Sequence, residues 1–359
     1  MRAALYTGDA GTLAIEQLTP NPPGPRDVVV EIGASGVCHS DLSLMRGYVP
    51  LPPGMVLGHE AAGRVVEVGA KVSRVKKGDR VVASFVPSCG ACWYCLREQS
   101  ELCERENEIT MQARGTRPGG GMYMCMTGLG TFADVMTVDE ASVVKVETQL
   151  ADAQLALISC GVTTGVGAAL NTAKVKPGAT VAVLGCGGVG QAVIQGARIA
   201  GASRIIAVDP QHLKRDVALT LGATDAVDPA KGDPVAQVQA LTGGRGADYA
   251  FEVIGLPETM QTAYRLARRG GEVIIVGMAR FEAQFQLPAF GIFFEQKTVK
   301  GCKYGSAQVR RDFPRFIELI ETRRFDISSM VSRTLKLDAI NEAFRAMEAG
   351  EVIRTVITS

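Results

Sequence analysis

The sequence predicts an α/β protein in two parts, a strand-rich, barrel-like domain and a doubly wound parallel sheet. Three observations carry this. The chain is 359 residues long, too long for one ordinary hydrophobic core and too short for three. Its first part, to about residue 150, reads as short β-branched runs separated by glycine and proline. From about Pro177 onward, strand, glycine turn and helix alternate, the pattern of a parallel sheet covered on both faces.

The elements follow in chain order. Val28-Val29-Val30-Glu31-Ile32, Gly63–Val68 and Asp79–Ala83 predict strands, each bounded by turn formers. Arg117-Pro118-Gly119-Gly120-Gly121 predicts a flexible excursion. Thr180–Leu184 reads as a strand, with a helix after Gly188; Arg204–Val208 is the next strand and Gln211–Leu221 its helix. Tyr249–Val253, a helix near Glu258–Ala267, and Glu272–Val276 continue the alternation. A helix over Gln308–Thr322 and a closing strand over Glu351–Ile357 have no place left in that repeat, so they are expected to return to the first domain. The expected division is residues 1–161 with 304–359, and residues 162–303.

Lysine and arginine number 38 against 37 aspartates and glutamates, with no long run of like charge. Nucleic acid and anionic membranes are therefore poor partners. The N-terminus turns polar before a signal segment could form, and no stretch of about 18 apolar residues runs unbroken. The expected location is the cytoplasm. Nine cysteines in a chain without an export signal are expected to be free thiols serving metals or catalysis.

Their placement forms two populations. Cys89, Cys92, Cys95 and Cys103 follow a C-x2-C-x2-C-x7-C pattern, able to close around one tetrahedral ion and leave no open position for chemistry. The reading is a structural zinc. An iron–sulfur cluster or chance clustering are the rivals, and nothing else in the chain suggests one-electron chemistry. Cys38, Cys125, Cys160, Cys186 and Cys302 are scattered.

Gly185-Cys186-Gly187-Gly188-Val189-Gly190 follows an apolar strand and opens a helix. The glycines permit a tight turn, and the helix N-terminus then faces a pyrophosphate. The next strand ends in Asp209, at about the distance of a carboxylate that holds a ribose 2′-hydroxyl and repels a 2′-phosphate. This predicts NAD over NADP, although His212, Lys214 and Arg215 are basic and close by.

Cys38, His59, Glu60 and Cys160 obey no spacing rule. A lone histidine beside a glutamate is usually structural, and a cysteine in an apolar stretch is usually a buried hydrophobe. The order of the motifs is what unites them: Cys38-His39-Ser40-Asp41, Gly58-His59-Glu60, the four-cysteine loop, Leu157–Gly165, the Gly185–Gly190 turn, Phe251–Gly255 and Ile353-Arg354-Thr355. Along nearly its whole length the chain resembles the zinc-dependent medium-chain alcohol dehydrogenases of the medium-chain dehydrogenase/reductase superfamily. The resemblance implies a GroES-like catalytic domain joined to a Rossmann domain.

It also implies two zinc ions per subunit and NAD. The catalytic zinc would be held by Cys38, His59 and Cys160, with Glu60 behind it and Asp41 orienting His59. The metal would polarise an alcohol or aldehyde oxygen while hydride passes to or from the nicotinamide. Ser40 would be the first proton carrier. Many relatives end the relay in a histidine at the position of Ser43, which this chain lacks; His39 could bind the cofactor or substitute as base. Arg354 resembles an arginine that reaches the pyrophosphate and Lys214 one at the adenosine ribose, while Thr164 and Val276 fall at cofactor positions. Phe85 and Met278 match pocket positions. Met122, Met124, Met126, Phe281, Phe285, Phe290, Phe293 and Phe294 would lie around the pocket mouth or a subunit interface, implying a primary alcohol with a hydrophobic or aromatic body. Relatives form homodimers or homotetramers.

Three alternatives stand beside this. One is a thiol-dependent formaldehyde dehydrogenase, with Arg114 or Arg117 as candidate anchors. Another is a nicotinoprotein that keeps its NAD. The third is a sensor that has lost catalysis, which the full ligand set and Ser40 oppose.

Overall fold

The computed structural model describes all 359 residues. The chain builds two compact units: Met1–Cys160 with Gln308–Glu321 and Val331–Ser359, and Gly161–Ala307 with Thr322–Met330.

The first unit is strand-rich, as expected. β1 (Asp27–Gly36), β2 (Ala61–Val68), β3 (Arg80–Ala83), β4 (Val135–Asp139) and β5 (Val143–Lys145) form an antiparallel set in which β1 pairs with both β2 and β4, β2 with β3, and β3 with β5. Alternate residues point inward. Val28, Val30 and Ile32 of β1 meet Val65, Val81, Ala83, Met136 and Val138 in one buried cluster. Between β1 and β2 lies a short helix, α1 (His39–Met45). A smaller sheet carries Arg2–Tyr6, Leu13–Gln17 and Met122–Cys125 among its strands.

A helical stretch of 21 residues, Asp152–Thr172, is long and apolar enough to cross a membrane by composition alone, but 83% of its most apolar window is buried inside the protein. It serves as core. Within it, Ile158–Val162 widens into a π-helical turn.

The second unit alternates strictly. β6 (Thr180–Leu184), α2 (Gly188–Ile199), β7 (Arg204–Val208), α3 (His212–Leu221), β8 (Asp225–Val227), α4 (Pro234–Leu241), β9 (Ala247–Glu252), α5 (Pro257–Leu266), β10 (Ala267–Ile275), α6 (Ala289–Glu295) and β11 (Thr298–Gly301) give a parallel sheet in the order β8-β7-β6-β9-β10-β11. Its strands are apolar on both faces because both are covered. Val181, Val183, Ile205, Ala207 and Phe251 face one core, and Ala182, Leu184, Ile206, Val208 and Ala250 the other.

The chain then supplies α7 (Val309–Glu321), β12 (Val331–Leu335), α8 (Ile340–Glu348) and β13 (Arg354–Thr358) to the first unit. β13 pairs antiparallel with β1, setting Val356 opposite Gly36. Within this returning segment, Thr322–Met330 packs with the second unit instead. There the buried Gln195 of α2 receives the Asp326 N–H at 2.7 Å and donates to the Asp326 carbonyl at 3.0 Å. Sequence reasoning did not anticipate β8, α4, α6, β11, β12 or α8.

Candidate active site and metal centres

The loop after β3 brings Cys89, Cys92, Cys95 and Cys103 together, with all four sulfurs within 4.8 Å of one another. Cys89 and Cys95 lie 3.9 Å apart, and Cys92 and Cys103 4.0 Å. A tetrahedron with Zn–S bonds of about 2.3 Å has edges of about 3.8 Å, so the sulfurs already stand at the corners such an ion requires. Backbone N–H groups reinforce the arrangement: those of Ala91 and Cys92 donate to Cys89 Sγ at 3.4 and 3.3 Å, and that of Cys89 to Cys103 Sγ at 3.3 Å. Donors of this kind from Cys95 and Glu104 lower the Cys92 thiol to about 6.

A second constellation gathers Cys38, His59, Glu60 and Cys160, all buried, with their ligand atoms again within 4.8 Å. Three different elements place them. Cys38 caps the N-terminus of α1, His59 and Glu60 immediately precede β2, and Cys160 sits in the π-helical turn. Such turns, in which the helix widens by a residue, recur at functional sites. Ser159 anchors this one, its hydroxyl donating to the Ala83 carbonyl at 2.6 Å and the His59 carbonyl at 3.3 Å.

Asp41 organises the centre. One oxygen accepts the Cys38 N–H at 3.1 Å; the other accepts the Gly58 N–H and meets His59 Nδ1, each at 3.1 Å. With Nδ1 held by a carboxylate, Nε2 is left to face the thiols. Burial opposes the charged imidazole, yet Asp41 and the Cys38 sulfur together raise His59 well above its ordinary range. Cys38 is held well below the ordinary thiol range, chiefly because Cys160 donates to it, and Cys160 is correspondingly raised. A bound cation would favour the thiolate form of both sulfurs. Burial pushes Glu60 up to about 7 against the pull of Arg354. One Glu60 oxygen pairs with Arg354, while the other is buried without a hydrogen-bond partner.

Ser40 Oγ is 3.7 Å from Cys38 Sγ, and His39 is exposed at the first turn of α1. Phe85 is half-buried, its ring edge-on to His59 with centroids 5.3 Å apart. Arg354, expected on a cofactor pyrophosphate, is 5% exposed and paired with Glu60. The physical reason is that a carboxylate fully buried beside two thiols needs a counter-charge.

In the second unit the Gly185–Gly190 turn has the expected form. Gly185 adopts φ +95°, and a Cβ at Gly190 would strike the Gly185 carbonyl oxygen. A Cβ at Gly187 would meet nothing within 4 Å, so this side of the turn is open to a ligand. The first N–H groups of α2 have no acceptor within the helix, which suits a pyrophosphate. Asp209, 4% exposed at the end of β7, accepts the Cys186 N–H and the Gln211 N–H, each at 2.8 Å. Val189, Lys214, Thr164 and Val276 are half-buried, and Met278 is 39% exposed.

Two residues that sequence reasoning passed over also shape this turn and its neighbours. Gln191 donates from Nε2 to the Cys186 carbonyl at 2.9 Å and the Lys214 carbonyl at 2.8 Å, tying turn to helix. Glu252 accepts the N–H groups of Ile254 and Gly255 and the Thr259 hydroxyl at 2.7 to 2.9 Å, fixing the loop after β9. A polar residue inside an otherwise apolar segment was the available signal in both cases.

The family model "Alcohol dehydrogenase GroES-like domain" matches residues 24–148, and "Zinc-binding dehydrogenase" matches residues 188–322. The S-(hydroxymethyl)glutathione dehydrogenase of Photobacterium damsela subsp. piscicida is 39% identical, covering 99% of both chains. Alcohol dehydrogenase 6 of Peromyscus maniculatus is 36% identical over 99% of this chain and 97% of its own. Among solved structures, benzyl alcohol dehydrogenase from Acinetobacter calcoaceticus superposes with a TM-score of 0.92 at 27% identity, over 99% of this chain and 98% of that one.

Proposed function

The chain belongs to the zinc-dependent medium-chain alcohol dehydrogenase family, and from that premise we propose that it transfers a hydride between a primary hydrophobic or aromatic alcohol, or its aldehyde, and NAD. One observation carries the substrate reading: the Phe85 ring packs edge-on against His59, so an apolar wall begins at a ligand of the centre itself. Cys38, His59 and Cys160 would hold the catalytic zinc, and the four-cysteine loop would hold a structural one.

When bound, zinc supplies a Lewis acid to the substrate oxygen and NAD the hydride acceptor. The chain's own residues do the rest. Asp41 fixes the His59 tautomer, so that Nε2 is the ligating atom. Ser40 Oγ, beside Cys38, takes the substrate proton and passes it outward. His39, exposed one residue before it, binds cofactor or receives that proton. Glu60, paired with Arg354, balances the charge around the centre. In the second unit the Gly185–Gly190 turn takes the pyrophosphate, and Lys214, Thr164 and Val276 serve the cofactor. The Asp209 carboxylate takes the ribose hydroxyls, which favours NAD over a cofactor bearing a 2′-phosphate. Met278 lines the substrate pocket with Phe85.

A second reading, oxidation of a formaldehyde–thiol adduct, draws support from the relative's name. Against it, every arginine of the 104–130 segment is already paired: Arg105 with Glu108, Arg114 with Asp27, and Arg117 with Glu16. None is left to anchor a thiol carboxylate. We also place the protein in the cytoplasm, where its nine free cysteines accord with a reducing medium, and expect a homo-oligomer. The sheet ends at β11, an unpaired edge, and α6 beside it exposes Phe290, Phe293 and Phe294 by 71, 75 and 55%.

The test is the initial rate of NADH formation on short aliphatic, long aliphatic, benzyl and cinnamyl alcohols and on formaldehyde with glutathione, each with and without a zinc chelator. Chelator-sensitive turnover of the bulky alcohols is expected. Turnover of the thiol adduct alone would replace the substrate assignment, and NAD that survives purification bound would identify a nicotinoprotein.

A further inference from the structure

Three parts of the cofactor site proposed above meet at one buried residue. Cys186, 0% exposed within the glycine turn, is held from both sides. Its N–H donates to the Asp209 carboxylate at the end of β7 at 2.8 Å, and its carbonyl accepts from Gln191 Nε2 at 2.9 Å. The second proton of the same amide goes to the Lys214 carbonyl, in the first turn of α3, at 2.8 Å. Gln191 thus spans the turn assigned to the pyrophosphate and the helix that carries the lysine assigned to the adenosine ribose.

Gln191 does not do this by touching a ligand. It is fully buried, the fourth residue of α2, and its own N–H closes on the Gly187 carbonyl at 2.8 Å. Its Oε1 is buried without a hydrogen-bond partner, so the amide acts here only as a donor of two protons. A buried turn carbonyl needs such a donor, because no ladder or helix supplies one. The peptide between Cys186 and Gly187 is trans, so its carbonyl and its N–H point in opposite directions. Anchoring the carbonyl on Gln191 therefore turns the Gly187 N–H away from that side chain and fixes the plane in which the chain enters α2.

We propose that Gln191 is a positioning residue of the cofactor site: it sets the glycine turn and the start of α3 at the separation that lets one dinucleotide engage both. The proposal rests on the reading that the turn and Lys214 bind NAD. The pyrophosphate and the adenosine ribose are covalently joined, so a shift of either support gives up a contact that the other cannot replace. Spacing fixed in advance appears as affinity, because the ligand does not have to order the site when it binds.

The experiment is a double-mutant cycle on Gln191→Met and Lys214→Met, read as NADH dissociation constants by fluorescence titration. Methionine keeps the length of the glutamine side chain and removes both donors. Gln191→Met is expected to weaken NADH by about tenfold and to raise the KM for NAD much more than it lowers kcat. Lys214→Met is expected to cost about tenfold in the unaltered background and less than about threefold in Gln191→Met, because the lysine is then already displaced. A residue that only stabilised the fold would leave the two losses additive. Should Gln191→Met not fold, Gln191→Asn carries the same cycle: it keeps an amide but is one methylene short of spanning both carbonyls, and the same non-additivity is expected. NADH affinity unchanged by the Gln191 substitution, or losses that add, would overturn the proposal and leave the NAD reading in place. An unaltered protein that binds no NADH would overturn that reading and the proposal with it.

Discussion

Asp41 makes three bonds at once: it caps α1 through the Cys38 N–H, holds the Gly58 N–H, and sets the His59 ring. Its charge and its geometry are separable. Asp41→Asn keeps an oxygen for one N–H but removes the carboxylate that fixes Nδ1. Zinc affinity at the catalytic centre should fall by about 10–100-fold, read by competition with a chromophoric chelator, while the four-cysteine loop keeps its ion. Unchanged affinity would mean that the backbone bonds, not the carboxylate, position His59. At this scale the sequence was unevenly legible. Cys89, Cys92, Cys95 and Cys103 announce themselves by spacing, because one loop carries all four. Cys38, His59 and Cys160 come from a helix cap, a strand start and a π-helical turn, so only resemblance to a family could join them. The burial of Arg354 against Glu60 was invisible, since a pattern of residue types does not say which charge faces which.

Among the elements, the glycine turn offers the sharpest test. Because a Cβ at Gly190 would collide with the Gly185 carbonyl, Gly190→Ala should displace the turn from the N-terminus of α2. NADH should bind about tenfold more weakly or worse, followed by its fluorescence, with zinc content unaltered. An NADH affinity equal to the unaltered protein's would dissociate the turn from cofactor binding. The strand–turn–helix context was readable because apolar strand, glycines and helix follow one another without interruption. Helix α4 was missed although its signal is local: Asp233 accepts the Val235 N–H and Pro234 occupies the first helical position. Strands β8 and β11 were missed for another reason. They are three and four residues long, and runs that short do not establish a period.

For the whole molecule, the exposed phenylalanines of α6 and the open edge of β11 bear on assembly. Light scattering is expected to give the mass of a dimer or tetramer, and Phe290→Ser/Phe293→Ser is expected to shift it toward the single chain; a monomeric unaltered protein would refute the expectation. The two-part architecture was legible because the periodicity changes near Pro177, and the return of the C-terminal strand followed from the lack of room in the αβ repeat. The crossing of Thr322–Met330 to the second unit was not, since it depends on one buried glutamine gripping a backbone. The four-cysteine loop carries a last consequence, for how the protein ages. Sulfurs 3.9 and 4.0 Å apart, one of them a thiolate at neutral pH, are stable neighbours only while an ion lies between them. Stripped of it in air, they are poised to oxidise in pairs, turning a loss that added zinc could repair into one that needs a reductant first.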